Sequence, residues 1–195
     1  MFNTDLYKAV EALKSGEVVV YPTDTLYALG GIIYNENAVK KVFNVKKRPL
    51  SNPLSIALSG INQLDEVGVL NKNVRILAEN FLPGSLTLVL KKRKKVPRFV
   101  TGQLDKVAVR IPDNKIALEL ISQTGPLTVT SANIHGMETK HTIKDIKNQI
   151  NNKVAFYLDD GLLDGLPSTI VDTTFDNPKI IRKGSITEKQ ILDVI

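Results

Sequence analysis

The sequence predicts an α/β domain built on a twisted, open, mixed sheet with flanking helices. Three observations carry that expectation. Short apolar runs of strand length recur along the chain, amphipathic stretches with helical spacing fall between many of them, and some strand runs follow one another directly. No internal repeat, linker or low-complexity segment divides the 195 residues, of which 43% are hydrophobic, so a single domain over 1–195 is expected.

Leu6, Ala9, Val10 and Leu13 recur at i, i+3, i+4 and i+7, which predicts a helix over 4–14 with Asn3 or Thr4 as cap and Gly16 as stop. EVVVY (17–21) reads as a buried strand ended by Pro22, and the small, turn-forming residues of 22–31 read as a loop. Asn35 caps a second helix over about 36–45 that turns Ala38, Val39, Val42 and Phe43 inward. Pro49 and Pro53 remove donors and restrict their neighbours, so KKRPLSNP (46–53) is a loop carrying three cations. A strand near 54–58 follows, then a helix near 72–81 marked by Val74, Leu77, Ala78 and Phe81. SLTLVLKK (85–92) and KVAVRI (106–111) are strands joined by a polar connection. A short helix near 114–122, a strand over 126–130 and a helix near 142–150 come next. The last third holds strands at 154–158, 168–174 and 179–183 and a closing helix from about 187.

Cysteine is absent, which excludes a disulfide framework, a thiolate nucleophile and cysteine-ligated zinc. No apolar run reaches the roughly 20 residues of a spanning helix. The start, MFNTDLYKAV, lacks a basic segment followed by an apolar one. A soluble, unexported, cytoplasmic protein without a membrane partner is the expectation. The 26 Lys and Arg against 20 Asp and Glu give a net charge of +6, a field that favours polyanions such as nucleotides or RNA.

Four segments place polar or charged residues where a strand gives way to a loop, the position at which open α/β sheets present groups to ligands. In YPTDTLYALGG (21–31), Thr23, Asp24 and Thr25 follow a buried strand, and their side chains either satisfy local turn amides or face a ligand. Lys46, Lys47 and Arg48, followed by Asn52, are either solvated or share a phosphate, which Arg can engage through two oxygens at once. Lys106 and Arg110 flank VAV, so strand geometry puts both on one face with Ala108 between them. In TSANIHG (130–136), Ser131 and Asn133 offer donors and acceptors beyond an apolar strand. Ser168 at a strand entrance and Arg182 near a strand exit look like supports for the same surface.

Other chemistry finds little footing. His135 and His141 have no cysteine or acidic partner at metal-ligand spacing, which favours exposed or hydrogen-bonding roles and no metal site. There is no GxxxxGK[ST], no GxGxxG after the first strand and no GxSxG elbow. The run KKRKK (91–95) reads as a solvated connection or an RNA contact.

Taken in order, PTDTLYALG, KKRPLSNPL, PGSLTLVL, VAVRIP, TSANIHG, STIVD and IIRKG resemble the YrdC/Sua5 family of threonylcarbamoyl-AMP synthases, in its single-domain YrdC form. The family's KxR and SxN signatures are matched by Lys46 and Arg48 and by Ser131 and Asn133. The resemblance implies a basic concave surface on which ATP and L-threonine bind side by side. It places Thr25, Arg110, Ser131 and Ser168 around threonine. It places Lys46, Arg48, Asn52, Lys106, Asn133, His141 and Arg182 around ATP, with Lys46 and Arg48 as the catalytic pair. It further implies that a carbamate of threonine, formed with bicarbonate or carbon dioxide, attacks the α-phosphorus of ATP. The products are threonylcarbamoyl-AMP and pyrophosphate, for N6-threonylcarbamoyladenosine (t6A) modification of tRNA. Magnesium would travel mainly on ATP, and the implied partners are downstream threonylcarbamoyl-transferase proteins and tRNA contact. The linker and second domain of the larger Sua5 proteins are not expected.

Two positions depart from the family's pattern. Ala28 replaces a usual glycine, which matters if a positive dihedral is needed there, and Ala57 stands where many relatives have histidine near the threonine site. Two other readings follow: an RNA-binding module without catalysis, and a paralogue using another carbamate or acyl-adenylate.

Overall fold

The structure is a computed structural model that describes residues 2–150 and 153–195. Seven helices and nine strands account for the regular structure of these residues. Helix α1 (Phe2–Lys14) starts upstream of the expected boundary, so Asn3 and Thr4 lie inside its first turn instead of capping it. Gly16 ends it in the left-handed region at φ +82°. Strand β1 (Val19–Tyr21) leads through a tight turn into β2 (Ala28–Gly30), a strand within the segment expected to be loop. β2 has three residues, two of them small, and owes its conformation to antiparallel pairing with β1 on one side and β6 (Leu127–Ser131) on the other. Gly30 is required there, because a Cβ would fall 2.6 Å from the Tyr21 ring that crosses it.

Helix α2 (Glu36–Lys46) is capped as expected, with the Ala38 amide donating to Asn35 Oδ1 at 3.1 Å. It stops at Lys47, whose left-handed backbone (φ 50°) turns the chain into the proline loop before β3 (Ser55–Ala57). A 3₁₀ turn at Ile61–Gln63 and the short α3 (Leu64–Val67) fill a stretch that has no marked periodicity. Then come α4 (Lys72–Phe81), β4 (Leu86–Lys91), β5 (Lys106–Arg110), α5 (Lys115–Thr124), β6 and α6 (Ile143–Ile150). The remaining elements are β7 (Phe156–Tyr157), β8 (Thr169–Asp172), β9 (Lys179–Arg182) and α7 (Glu188–Leu192).

The strands form one open sheet in the order β7-β1-β2-β6-β3-β5-β4-β8-β9. Three pairs are parallel (β1/β7, β3/β5, β4/β8) and the other five antiparallel, so the sheet is mixed. Side-chain alternation sorts the strands onto two faces. On the first face Val20, Leu29, Ile56, Leu88, Leu90, Val107, Val109 and Val171 pack against α2, α4, α6 and α7 in the larger core cluster. On the second face Val19, Tyr21, Ala28, Ala57, Leu127 and Val129 pack against α1 and α5. That second helical layer takes no residue from β4, β5, β8 or β9. Half of the second face is therefore left without a helical cover, and its outward positions become the floor of a cleft.

Candidate active site

The floor comes from alternate strand positions: Thr87 and Val89 on β4, Lys106, Ala108 and Arg110 on β5, and Ile170 and Asp172 on β8. The walls are the β1–β2 turn, the loop after α2, the loop after β6 and the segment before β8. Together they enclose a cleft of about 580 Å³.

The β1–β2 turn resolves both readings of its hydroxyls. Thr23 Oγ1 accepts the amides of Thr25 and Leu26, each at 3.2 Å, and donates to the Leu26 carbonyl at 2.6 Å, which makes it a turn-closing residue. Thr25 Oγ1 faces the cleft and accepts from Arg110 Nη1 at 2.9 Å. Arg110 also donates through Nη2 to Asp24 Oδ1 at 2.6 Å, and the same oxygen accepts the Asp113 amide at 3.0 Å. The pair is deeply set, with side-chain exposures of 6% for Arg110 and 15% for Asp24. Burial pulls the Arg110 guanidinium below its ordinary pKa, and the Asp24 carboxylate opposes that shift.

Lys46 and Arg48 straddle the left-handed Lys47 and so leave α2 in different directions. Lys46 is buried, and its ammonium donates to Ser131 O, Asn133 O and Asn133 Oδ1 at 2.5, 2.9 and 2.9 Å. Those three acceptors use all three of its hydrogens. It works as a strut under the β6 loop. Asn133 in turn accepts from Ser131 Oγ at 2.6 Å and donates to Met137 O at 2.6 Å. Burial, with the Arg48 charge adding to it, lowers the Lys46 pKa from 10.5 to about 7.

A pH signature follows from that shift. Between about 7 and 10.5 the unfolded chain holds a proton at Lys46 that the folded chain tends to release, so this residue's contribution to stability rises with pH across that window. Because the three acceptors favour the charged form, the slope falls short of the ceiling of about 1.4 kcal/mol per pH unit. In urea titrations, the stability of wild type relative to Lys46→Met should rise by about 1–2 kcal/mol from pH 7 to 9. A gap that does not change with pH would show that the ammonium persists throughout.

Arg48 donates from Nε to Asn52 O at 3.3 Å, from Nη2 to Pro53 O at 2.9 Å, and lies 3.3 Å through Nη1 from His135 Nδ1. Arg182 clamps Ser168, donating from Nε and Nη2 to its carbonyl at 3.1 and 2.8 Å and from Nη2 to its hydroxyl at 3.0 Å. Ser168 Oγ also meets Thr87 Oγ1 at 2.8 Å. Lys106 pairs with Asp172 at 2.8 Å and sits 4.5 Å from the centroid of the Phe175 ring. Five basic side chains therefore line the cleft against one carboxylate, Asp172, with Asp24 lying behind Arg110. Among the described residues, Arg48 and Arg182 have neutral hydrogen-bond partners and no carboxylate within reach.

Of the eleven residues expected around ATP and threonine, Thr25, Lys46, Arg48, Lys106, Arg110, Ser131, Asn133, Ser168 and Arg182 line this cleft. Asn52 and His141 do not. Asn52 offers its backbone carbonyl to Arg48, while its amide N–H closes the proline loop onto Pro49 O at 3.0 Å. The loop after Gly136 carries His141 away from the cleft and turns its Nδ1 to Leu163 O at 2.7 Å, where it ties down the segment before β8. His135, in the same loop as Asn133, takes a place in the wall. Asp172 on the floor and the pairing of Asp24 with Arg110 are not anticipated by the sequence reading. For Asp172 a signal was present, since 168, 170 and 172 share one parity on a strand. Ala28 has no positive dihedral and fits its strand without strain, and Ala57 is buried beside Arg110 in the β3–β5 register.

The open, mixed α/β sheet thus carries a cation-rich cleft on its bare half-face, a field that favours anions. Residues 11–184 match the model of the Sua5/YciO/YrdC family, which is described as "Telomere recombination". The chain belongs to that family. A Pyrococcus abyssi protein named threonylcarbamoyl-AMP synthase is 38% identical over 186 residues, which cover 94% of this chain and 55% of that protein. The crystal structure of P. abyssi Sua5 complexed with L-threonine is similar at a TM-score of 0.93 and 37% identity, over 97% of this chain and 57% of that one. The crystal structure of E. coli YciO reaches 0.88 at 30% identity, over 95% of this chain and 92% of that one. The chain thus spans little more than half the length of the P. abyssi protein.

Proposed function

We propose that residues 1–195 act as one YrdC-like unit that makes threonylcarbamoyl-AMP from L-threonine, bicarbonate or carbon dioxide, and ATP. The observation that carries this reading is the division of the cleft. At one end Arg110, Thr25 and the Ser168–Arg182 clamp converge, which suits a small amino acid with a carboxylate and a hydroxyl. At the other end Arg48 lies beside the Ser131–Asn133 loop, which suits a polyphosphate. The similarity to Sua5 complexed with L-threonine supports the first assignment.

In this mechanism a carboxylate oxygen of the threonine carbamate forms a bond to the α-phosphorus of ATP, and the bond from that phosphorus to the bridging oxygen breaks. Pyrophosphate leaves with the electron pair. Two anions must meet, so positioning and charge stabilisation supply most of the rate. Arg48, Lys106 and Arg182 provide the charge, Asn133 a polar contact, and Lys46 fixes the loop that carries Ser131 and Asn133. Magnesium carried on the nucleotide would need few protein ligands and would offset phosphate charge. The product serves tRNA modification in the cytoplasm, where a transferase consumes it.

Incubation with ATP, magnesium, bicarbonate and L-threonine should release pyrophosphate only when threonine and bicarbonate are both present. Salt-sensitive RNA binding without pyrophosphate would favour the non-catalytic module. Against that module, two cations of the 91–95 run are already paired, Arg93 with Asp65 and Lys95 with Glu66. A second reading retains the adenylyl transfer and changes the amino acid. Pyrophosphate release that prefers another amino acid over threonine would select it.

A further inference from the structure

His135 has no assigned role in the chemistry above, yet it lies in the cleft wall. Its amide donates to the Lys46 carbonyl at 2.7 Å, which ties the loop after β6 to the end of α2. Its Nδ1 lies 3.3 Å from Arg48 Nη1. A guanidinium has no lone pair to offer, so Nδ1 is the acceptor and the ring hydrogen sits on Nε2. The guanidinium is then fixed at three points: Asn52 O and Pro53 O along one edge, from its own loop, and the imidazole reaching from the opposite loop.

All three partners are uncharged, so they orient the positive charge without cancelling it. The two carbonyls both belong to the proline loop and hold only the Nε–Nη2 edge of the guanidinium. The imidazole anchors it to the loop that Lys46 holds rigid. We propose that His135 is a positioning residue of the polyphosphate site, holding Arg48 in its anion-facing orientation. This rests on the reading of Arg48 as a phosphate ligand.

The probe is inorganic pyrophosphate, titrated calorimetrically into the full chain. His135→Leu should weaken binding about fivefold, the scale of one hydrogen bond to a charged group whose partners remain wet. His135→Asn, whose amide oxygen can accept from the guanidinium, should restore most of the affinity. In an Arg48→Ala background, His135→Leu should have no further effect, because its contribution runs through the missing side chain. His135 is exposed, so both variants should fold, and circular dichroism checks this.

Wild-type affinity in His135→Leu, with a loss in Arg48→Ala, overturns the role of His135 alone. A fivefold loss that persists without Arg48 also overturns it, since His135 would then contact the anion itself. Wild-type affinity in Arg48→Ala overturns both this inference and the phosphate reading beneath it.

Discussion

Arg48→Ala should reduce threonine-dependent pyrophosphate release by at least about 100-fold while leaving stability within about 1 kcal/mol of wild type. Removing a preorganised donor that faces developing charge commonly has an effect of this size on rate. The small effect on stability follows from what Arg48 touches. Its partners are two loop carbonyls and an imidazole, and no buried carboxylate loses its counter-charge when the guanidinium goes. Initial rates with saturating substrates test the first part, and urea titration tests the second. A full-rate variant would remove Arg48 from the chemistry, and a grossly unstable one would make it a structural residue instead.

Arg110→Met should have the opposite balance. The Arg110–Asp24 pair is buried, so truncating one member leaves Asp24 with the Asp113 amide as its remaining partner and no neutralising charge. Breaking such a pair costs about 3–5 kcal/mol, enough to shift the urea midpoint by more than 1 M in a protein of this size. Asp24→Asn combined with Arg110→Met should recover a substantial part of that loss, since the stranded charge is gone. Neither variant should bind L-threonine measurably by calorimetry, because Thr25 has lost the donor that orients its hydroxyl. A wild-type midpoint in Arg110→Met would contradict the burial argument. Threonine binding that survives in the stabilised double variant would move the amino-acid site elsewhere in the cleft.

Much of the fold could be read from local pattern. The helix expected near 72–81 forms over Lys72–Phe81, where Val74, Leu77 and Ala78 share one face and Asn71 caps the first turn through the Val74 amide. β2 was missed because a three-residue strand has too little periodicity to register, and its partners β1 and β6 lie far apart in sequence. The site divides along the same line. Lys106, Ala108 and Arg110 were placed correctly on one face because strand alternation is rigid. His135 lines the cleft and His141 does not, a difference that no sequence pattern fixes because it follows the path of an irregular loop. Lys46 and Arg48 look equivalent on paper as two neighbouring cations. Only the left-handed turn at Lys47 shows that one is buried under the β6 loop and the other lies along the cleft wall.

The bare half of the second sheet face carries a constraint of parity. On β5 the residues that form the cleft floor, Lys106, Ala108 and Arg110, alternate with Val107 and Val109, which belong to the main core. Slipping this strand by one residue would send two cations into the core and two valines into the cleft. The layout of the cleft and the hydrophobic packing are therefore locked to the same odd-even count. The cleft can change its chemistry by exchanging side chains at fixed positions or by reshaping its loops, but it cannot do so by sliding a strand.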